Sequence, residues 1–301
     1  MAPTAAPSGR APTTGSSAPP TAEPSAVIKA ITWGLDDQHI ALFADRRWHA
    51  LPLRHIRYFV PWDLVAEPHY LHLADRYLTI AGRTGAIPLI AITQSDRHGQ
   101  SRVLPTLAQY RRAVGWMVHR FWWIKEWTPW NEANLLDQAT LHNPARAAGY
   151  WRVLQELCHR CTVTSPSLVG YRLASSSWMR AFLRAARGLH GPWAIHLYND
   201  INEFNTFAVT KLLRQLPRGP VWVTEVGGFL RFVGFPTNLD RQRRAEGYLF
   251  EVARKAYPRI TRWYLYQWFA SSPRDRWDSG LVNANGSARP ALKVVQHALL
   301  G

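Results

Sequence analysis

Eight short apolar runs, each followed by a longer amphipathic segment, recur from Val27 onward in this 301-residue chain, at a spacing of roughly 30 residues. The runs cover residues 30–34, 55–60, 87–93, 124–130, 161–165, 194–198, 221–226 and 263–268. Short runs of this kind suit strands buried on both faces. The segments 40–50, 70–83, 106–120, 144–159, 176–188, 205–215, 241–257 and 290–299 suit helices that pack by one face. Pro144 and Pro290 fit a first helical turn, Ser176 and Asn205 fit N-caps, and Gly82 and Gly188 mark expected stops. Strict alternation predicts an α/β protein with a parallel sheet. Eight units in this length fit a (β/α)8 TIM barrel with little room for insertions. A doubly wound open sheet uses the same elements. The barrel is preferred because polar, chemistry-capable residues fall at the C-terminal ends of many strands.

Composition sets the outer limits. An apolar content of 47% supports a sizeable core. Residues 1–26 are almost all Ala, Pro, Ser, Thr and Gly, a mixture that cannot bury apolar area, so a disordered or polyproline-like tail is expected. Residues 27–301 then form one domain, expected to be monomeric. No apolar run is long enough to span a bilayer, and the N-terminus lacks the apolar core of a conventional signal peptide. An extracellular or envelope location by another route stays open. The formal net charge is +16, carried largely by arginines such as Arg111, Arg112, Arg241, Arg243 and Arg244. Such a field attracts polyanions, among them acidic polysaccharides. No nucleic-acid module or concentrated basic run accompanies it, so no specific nucleic-acid partner is expected and a solvated basic surface is the plainer reading. The only cysteines, Cys158 and Cys161, lie at the end of a helix-like segment, which favours a structural role as free thiols or a local disulfide.

Two glutamates stand out. The stretch 127–132 reads Trp-Thr-Pro-Trp-Asn-Glu and ends on Asn131 and Glu132. The stretch 221–225 reads Val-Trp-Val-Thr-Glu and ends on Glu225. A carboxylate that closes an apolar run must be paired or shift its pKa. On the barrel reading these glutamates end the fourth and seventh strands and rise from one face. Two carboxyls about 5 Å apart are the equipment of a retaining glycosidase, provided their environments push their pKa values apart. Fifteen tryptophans and eleven tyrosines exceed what a core of this size needs and fit a carbohydrate cleft, although packing accounts for most of them.

In these features the chain resembles clan A glycoside hydrolases, such as cellulase-like and β-xylosidase-like families, over residues from about 30 to the end. Asn131-Glu132 resembles the acid/base motif of that clan, and Thr224-Glu225 its nucleophile. The resemblance implies further roles. Arg57 would hold the nucleophile ionised. Asn131 would bind the sugar 2-hydroxyl. Tyr198 would hydrogen-bond Glu225, His196 would shape the catalytic subsite, and Trp268 would form a platform under the sugar. One departure is Ala133, where many clan members carry proline. The loop residues Trp62 and Asp63 are candidates for lining subsites, with Asp36, Asp37, Trp33, Trp130, Trp178, Asp200 and Glu203 as weaker ones. Glu126, inside the fourth run, is more simply read as part of an internal ion pair. The histidines show no metal-ligand spacing, so no metal is invoked, and no cofactor is implied. The expected function is retaining hydrolysis of an oligo- or polysaccharide; the alternative is a non-catalytic barrel that binds carbohydrate or the cell envelope.

Overall fold

Nine strands pair in parallel throughout, in the order β5-β4-β3-β2-β1-β9-β8-β7-β6. They are β1 (Thr32–Asp36), β2 (His55–Pro61), β3 (Ile87–Thr93), β4 (Glu126–Thr128), β5 (Thr162–Val163), β6 (Leu168–Val169), β7 (Trp193–His196), β8 (Val221–Val226) and β9 (Ile260–Tyr266). This computed structural model describes residues 30–170, 176–255 and 257–301. The Ala/Pro/Ser/Thr-rich stretch 1–26 lies outside the described residues.

The ninth strand arises because the expected fifth one is broken in two. β5 pairs with β4 and β6 pairs with β7, so the sheet begins and ends within one stretch of chain. Between the halves lie Thr164, Ser165, Pro166 and Ser167, and Pro166 has no N–H to give a ladder. The stretch still bridges both neighbours. Thr164 N donates to Trp127 O at 2.9 Å and Ser165 N to Pro192 O at 2.9 Å. The ring is therefore a closed barrel of eight staves, with β5 and β6 sharing the fifth and β8 forming the seventh.

Helices alternate with the strands, at Pro68–Arg83, Leu107–Arg120, Pro144–Leu157, Ser176–Ala185, Phe207–Gln215, Leu239–Arg254 and Pro290–Leu300. Their starts have local causes. Thr106 and Gln109 form a reciprocal capping box, and the Asn143 side chain accepts from Arg146 N ahead of Pro144. Two expectations shift. The segment 40–50 splits into a 3-10 turn at Ile40–Ala44 and one short α turn at Arg46–His49. The first long helix runs through Gly82, and Gly85, at φ +72°, takes the left-handed turn instead. Among the described residues, no helix is long and apolar enough to cross a membrane.

The main core lies between the strands and the helices. A separate small cluster of Leu89, Trp222 and Tyr264 packs apart from it. Beside that cluster, Arg262 donates to Glu126 at 2.5 Å and stacks 3.8 Å above the Trp222 ring. Cys158 and Cys161 form a disulfide across the turn before β5.

Among the described residues, one buried acid of the helix layer has no cationic partner. Glu246, on Leu239–Arg254, accepts from Gly228 N at 2.9 Å through Oε1, while its Oε2 is buried without a partner. Burial pushes its pKa up to about 7. A raised folded-state pKa gives stability that is present below the unfolded value and lost as pH rises through about 7. Denaturant unfolding should therefore show the protein losing stability between pH 5 and pH 8. Glu246→Gln should remove up to about 3 kcal/mol of that loss.

Candidate active site

The C-terminal ends of the strands bring the polar candidates together around Arg57. Arg57 sits on β2, fully buried, with Asp36 at the end of β1 on one side and Glu225 near the end of β8 on the other. Its Nη1 lies 2.5 Å from Asp36 Oδ2 and 2.5 Å from Glu225 Oε1. Its Nη2 donates to Asn131 Oδ1 at 2.7 Å. Burying a guanidinium costs several kcal/mol unless partners surround it. Here two carboxylates offset that cost, and they raise the Arg57 pKa further.

The two glutamates converge with different surroundings. Oxygens of Glu132 and Glu225 and a ring nitrogen of His196 all lie within 4.8 Å of one another. Glu225 accepts from Arg57 and from Tyr198 Oη, the latter at 2.9 Å. Among the described residues, Glu132 meets no arginine or lysine side chain at bonding distance, and burial, followed by the nearby Asp137 charge, pushes its pKa up to about 7. His196 Nδ1 lies 2.9 Å from Glu132 Oε1, and its Nε2 faces Glu225 Oε1 at 3.3 Å. Burial drives the His196 pKa down to about 3, so near neutral pH the ring holds one proton to offer to either carboxylate.

Backbone shape aims Glu132. Its φ is +48°, a conformation that costs a non-glycine residue about 1 kcal/mol or more and persists only when neighbours enforce it. Ser167 enforces it. Ser167 Oγ accepts from Glu132 N at 2.8 Å and donates to Asn131 Oδ1 at 2.9 Å. Ser167 O also accepts from Ala133 N at 3.0 Å. A proline at position 133 would have no N–H for that bond. With two donors on Asn131 Oδ1, its amide nitrogen is left to face another partner. Past Glu225, a Cβ on Gly227 would overlap the Tyr266 carbonyl oxygen, so glycine is required for β8 and β9 to stay together there.

Other candidates fall differently. Trp268 is fully buried, and its Nε1 donates to Asp45 Oδ2 at 2.9 Å, so no ring face remains to support a sugar. The half-buried Tyr266 and Trp277 stand nearer the site, their ring centroids 6.1 and 4.5 Å from Tyr198. Trp62 is half-buried and Asp63 is buried, held by Ser95 Oγ at 2.7 Å. Trp62 Nε1 and Asp63 Oδ1 lack partners. Asp37 is structural, accepting from Trp268 N and Phe269 N at 2.9 Å each. Asp200 accepts from Ala208 N and Val209 N and so caps a helix. Trp33, Trp130 and Trp178 belong to the core.

Sequence reading gave Asp36 only a minor part and passed over Trp277 and Ser167. Asp36 closes an apolar run just as the glutamates do, so the same signal marks it. Trp277 stands alone among charged residues in Arg274-Asp275-Arg276-Trp277-Asp278, a setting that no core periodicity explains. Ser167 carries no local signal. The set Glu132, His196 and Glu225 could in principle share a divalent cation. The fixed Arg57 charge on Glu225 opposes that use.

A family model described as glycosyl hydrolase catalytic core matches residues 106–294. Among curated proteins, none matches the chain. Several solved structures share the fold. A family 39 glycoside hydrolase from Bacteroides cellulosilyticus WH2 has a TM-score of 0.61 at 16% identity, covering 91% of this chain. The chain spans 64% of that protein's length. Xylanase 10B from Thermotoga maritima has a TM-score of 0.67 at 12% identity, over 92% of this chain and 97% of the other. Xylanase B from Clostridium stercorarium F9 has a TM-score of 0.64 at 12% identity, over 90% and 98%.

Removing the cation at the centre should expose its structural weight. Arg57→Met leaves Asp36 and Glu225 as neighbouring buried carboxylates with no counter-charge. Chemical denaturation should show a loss of about 3–5 kcal/mol at pH 7. The loss should shrink toward pH 4, where protonation neutralises the pair.

Proposed function

Because this chain belongs to the glycosyl hydrolase catalytic core family, we propose that residues 27–301 form a retaining glycoside hydrolase domain whose two working carboxyls are Glu132 and Glu225. The observation that carries this reading is the convergence of the pair within 4.8 Å in unlike environments. An inverting enzyme separates its carboxyls by roughly 6.5–9.5 Å to admit a water, whereas a retaining pair stands about 5–5.5 Å apart.

The surroundings assign the roles. Glu132, with its pKa near 7, is the proton donor to the leaving oxygen. Glu225, gripped by Arg57 and Tyr198, is the nucleophile that attacks C1 and forms a glycosyl-enzyme. Glu132, now ionised, then takes a proton from the water that releases the sugar. Asn131 presents its free amide N–H to the sugar 2-hydroxyl. His196 lies between the carboxylates and keeps their separation. Tyr266 and Trp277 supply the aromatic surface first expected of Trp268, and Trp62 and Asp63 extend the cleft past β2. The substrate is a carbohydrate polymer or oligomer, and the xylanases among the structurally similar proteins make xylan the first polymer to assay.

Two measurements test this. Glu225→Ala should lower turnover of an aryl glycoside by on the order of 10⁴-fold while leaving the circular dichroism unchanged. A 2-fluoro sugar should label Glu225 of the wild-type protein in peptide mass spectra. Labelling elsewhere, or undiminished turnover, overturns the assignment. Glu132 acts as an acid only when protonated, so kcat/KM should be high below pH 7 and fall as pH rises through about 7. In Glu132→Ala that alkaline limb should vanish for substrates whose leaving group needs no proton.

A further inference from the structure

The opposite face of the barrel is grooved and basic. Two cavities of about 500 and 520 Å³ lie there, against Thr162 at the start of β5, Trp193 at the start of β7, and Pro220 just before β8. Both are lined by Leu189, His190 and Gly191, so they join into one groove. Arg152, His159, Arg187, His190 and Arg218 line it. Its one lining carboxylate, Glu156, is already ion-paired with Arg111.

Two helices, Ser176–Ala185 and Phe207–Gln215, end at this face, and the partial negative charge of a helix C-terminus would repel an anion. Other arginines offset it. Arg152 donates to Ala185 O at 2.9 Å, and Arg259 donates to Leu213 O at 2.8 Å and Gly219 O at 3.0 Å. Arg187 and Arg218 are exposed, and among the described residues their side chains have no hydrogen bond or ion pair. The rim is also stiff. The Cys158–Cys161 disulfide closes the turn that carries His159, and Pro192, Pro217 and Pro220 restrict the adjoining backbone.

We propose that this groove binds an acidic polysaccharide, holding the polymer while the cleft at the other end of the barrel remains free. The charge complementarity is local: three arginines line a groove whose one acid is neutralised. An extended, two-lobed groove suits a chain of repeating charge better than a single small anion. Nucleic acid carries the same charge, but single-stranded binding draws on large exposed aromatic rings for stacking, and the one Trp, Tyr or Phe of the lining, Trp193, is buried. The choice of a glycan rests on the glycosidase reading. A second site of this kind would raise the local concentration of polymer at the cleft.

The test compares the full chain with the double variant Arg187→Glu, Arg218→Glu. Equilibrium binding to polygalacturonate, neutral xylan and duplex DNA is measured at low and moderate salt. The wild type should bind polygalacturonate in a salt-dependent way, and the double variant should bind it about tenfold more weakly. Hydrolysis of a small aryl glycoside should be unchanged, and reversing the exposed Arg76 and Arg83 on Pro68–Arg83 should leave binding intact. Equal binding by the double variant, an equal loss in the Arg76 and Arg83 control, or tighter binding of DNA than of polygalacturonate overturns the proposal. Groove binding that persists in a protein inactive on every glycoside would instead refute the proposed function.

Discussion

A single buried guanidinium organises the catalytic end of this barrel. Arg57 joins β1, β2, β4 and β8 through Asp36, its own backbone, Asn131 and Glu225. Two carboxylates against one cation leave an excess of negative charge in a dry place, and burial resolves it by raising the Asp36 pKa well above the usual carboxylate range. Burial thus disfavours the charged form of Asp36, while Glu225 shares the same guanidinium and also accepts from the Tyr198 hydroxyl.

A similar contrast distinguishes Glu132 from Glu225, although both close apolar runs, Glu225 on β8 and Glu132 in the turn after β4. The difference comes from what each strand end meets. Glu225 meets Arg57 and a tyrosine hydroxyl. Glu132 meets a neutral imidazole and a serine that bends its backbone into the left-handed region. The broken fifth stave is central to this. Regular pairing there would turn the backbone groups of residues 164–167 into ladder, whereas the break frees Ser167 to reach across to β4. Irregularity in the fold and orientation of the acid are one feature.

The two ends of the barrel carry opposite electrostatic characters. The C-terminal end gathers Asp36, Glu132 and Glu225 around Arg57. The N-terminal end exposes Arg187 and Arg218 beside helix termini that other arginines have already satisfied. Between them, Glu126 and Arg262 neutralise each other inside the barrel, so neither end is connected to the other by unpaired buried charge. A large net positive charge is therefore compatible with an acidic catalytic centre.

Alternation of short apolar runs with amphipathic segments determined the barrel, because strands buried on both faces and helices buried on one have few ways to pack. β3 and β8 lie where the sequence reading puts them, and the others shift at their ends, where capping and pairing rather than hydrophobicity set the limit. The carboxylates and Arg57 were legible because a charge that closes an apolar run has to be functional or paired. The tertiary structure alone decided the rest. Trp268 reads like a sugar platform in sequence, yet it is fully buried on Asp45, while Tyr266 and Trp277 reach the site. Ser167 became part of the site only through the break in its stave. The basic groove joins residues from three separate connections. Local composition fixes which groups a segment carries. Only the closure of the ring brings segments tens to hundreds of residues apart within the few ångströms over which hydrogen bonds and charges act.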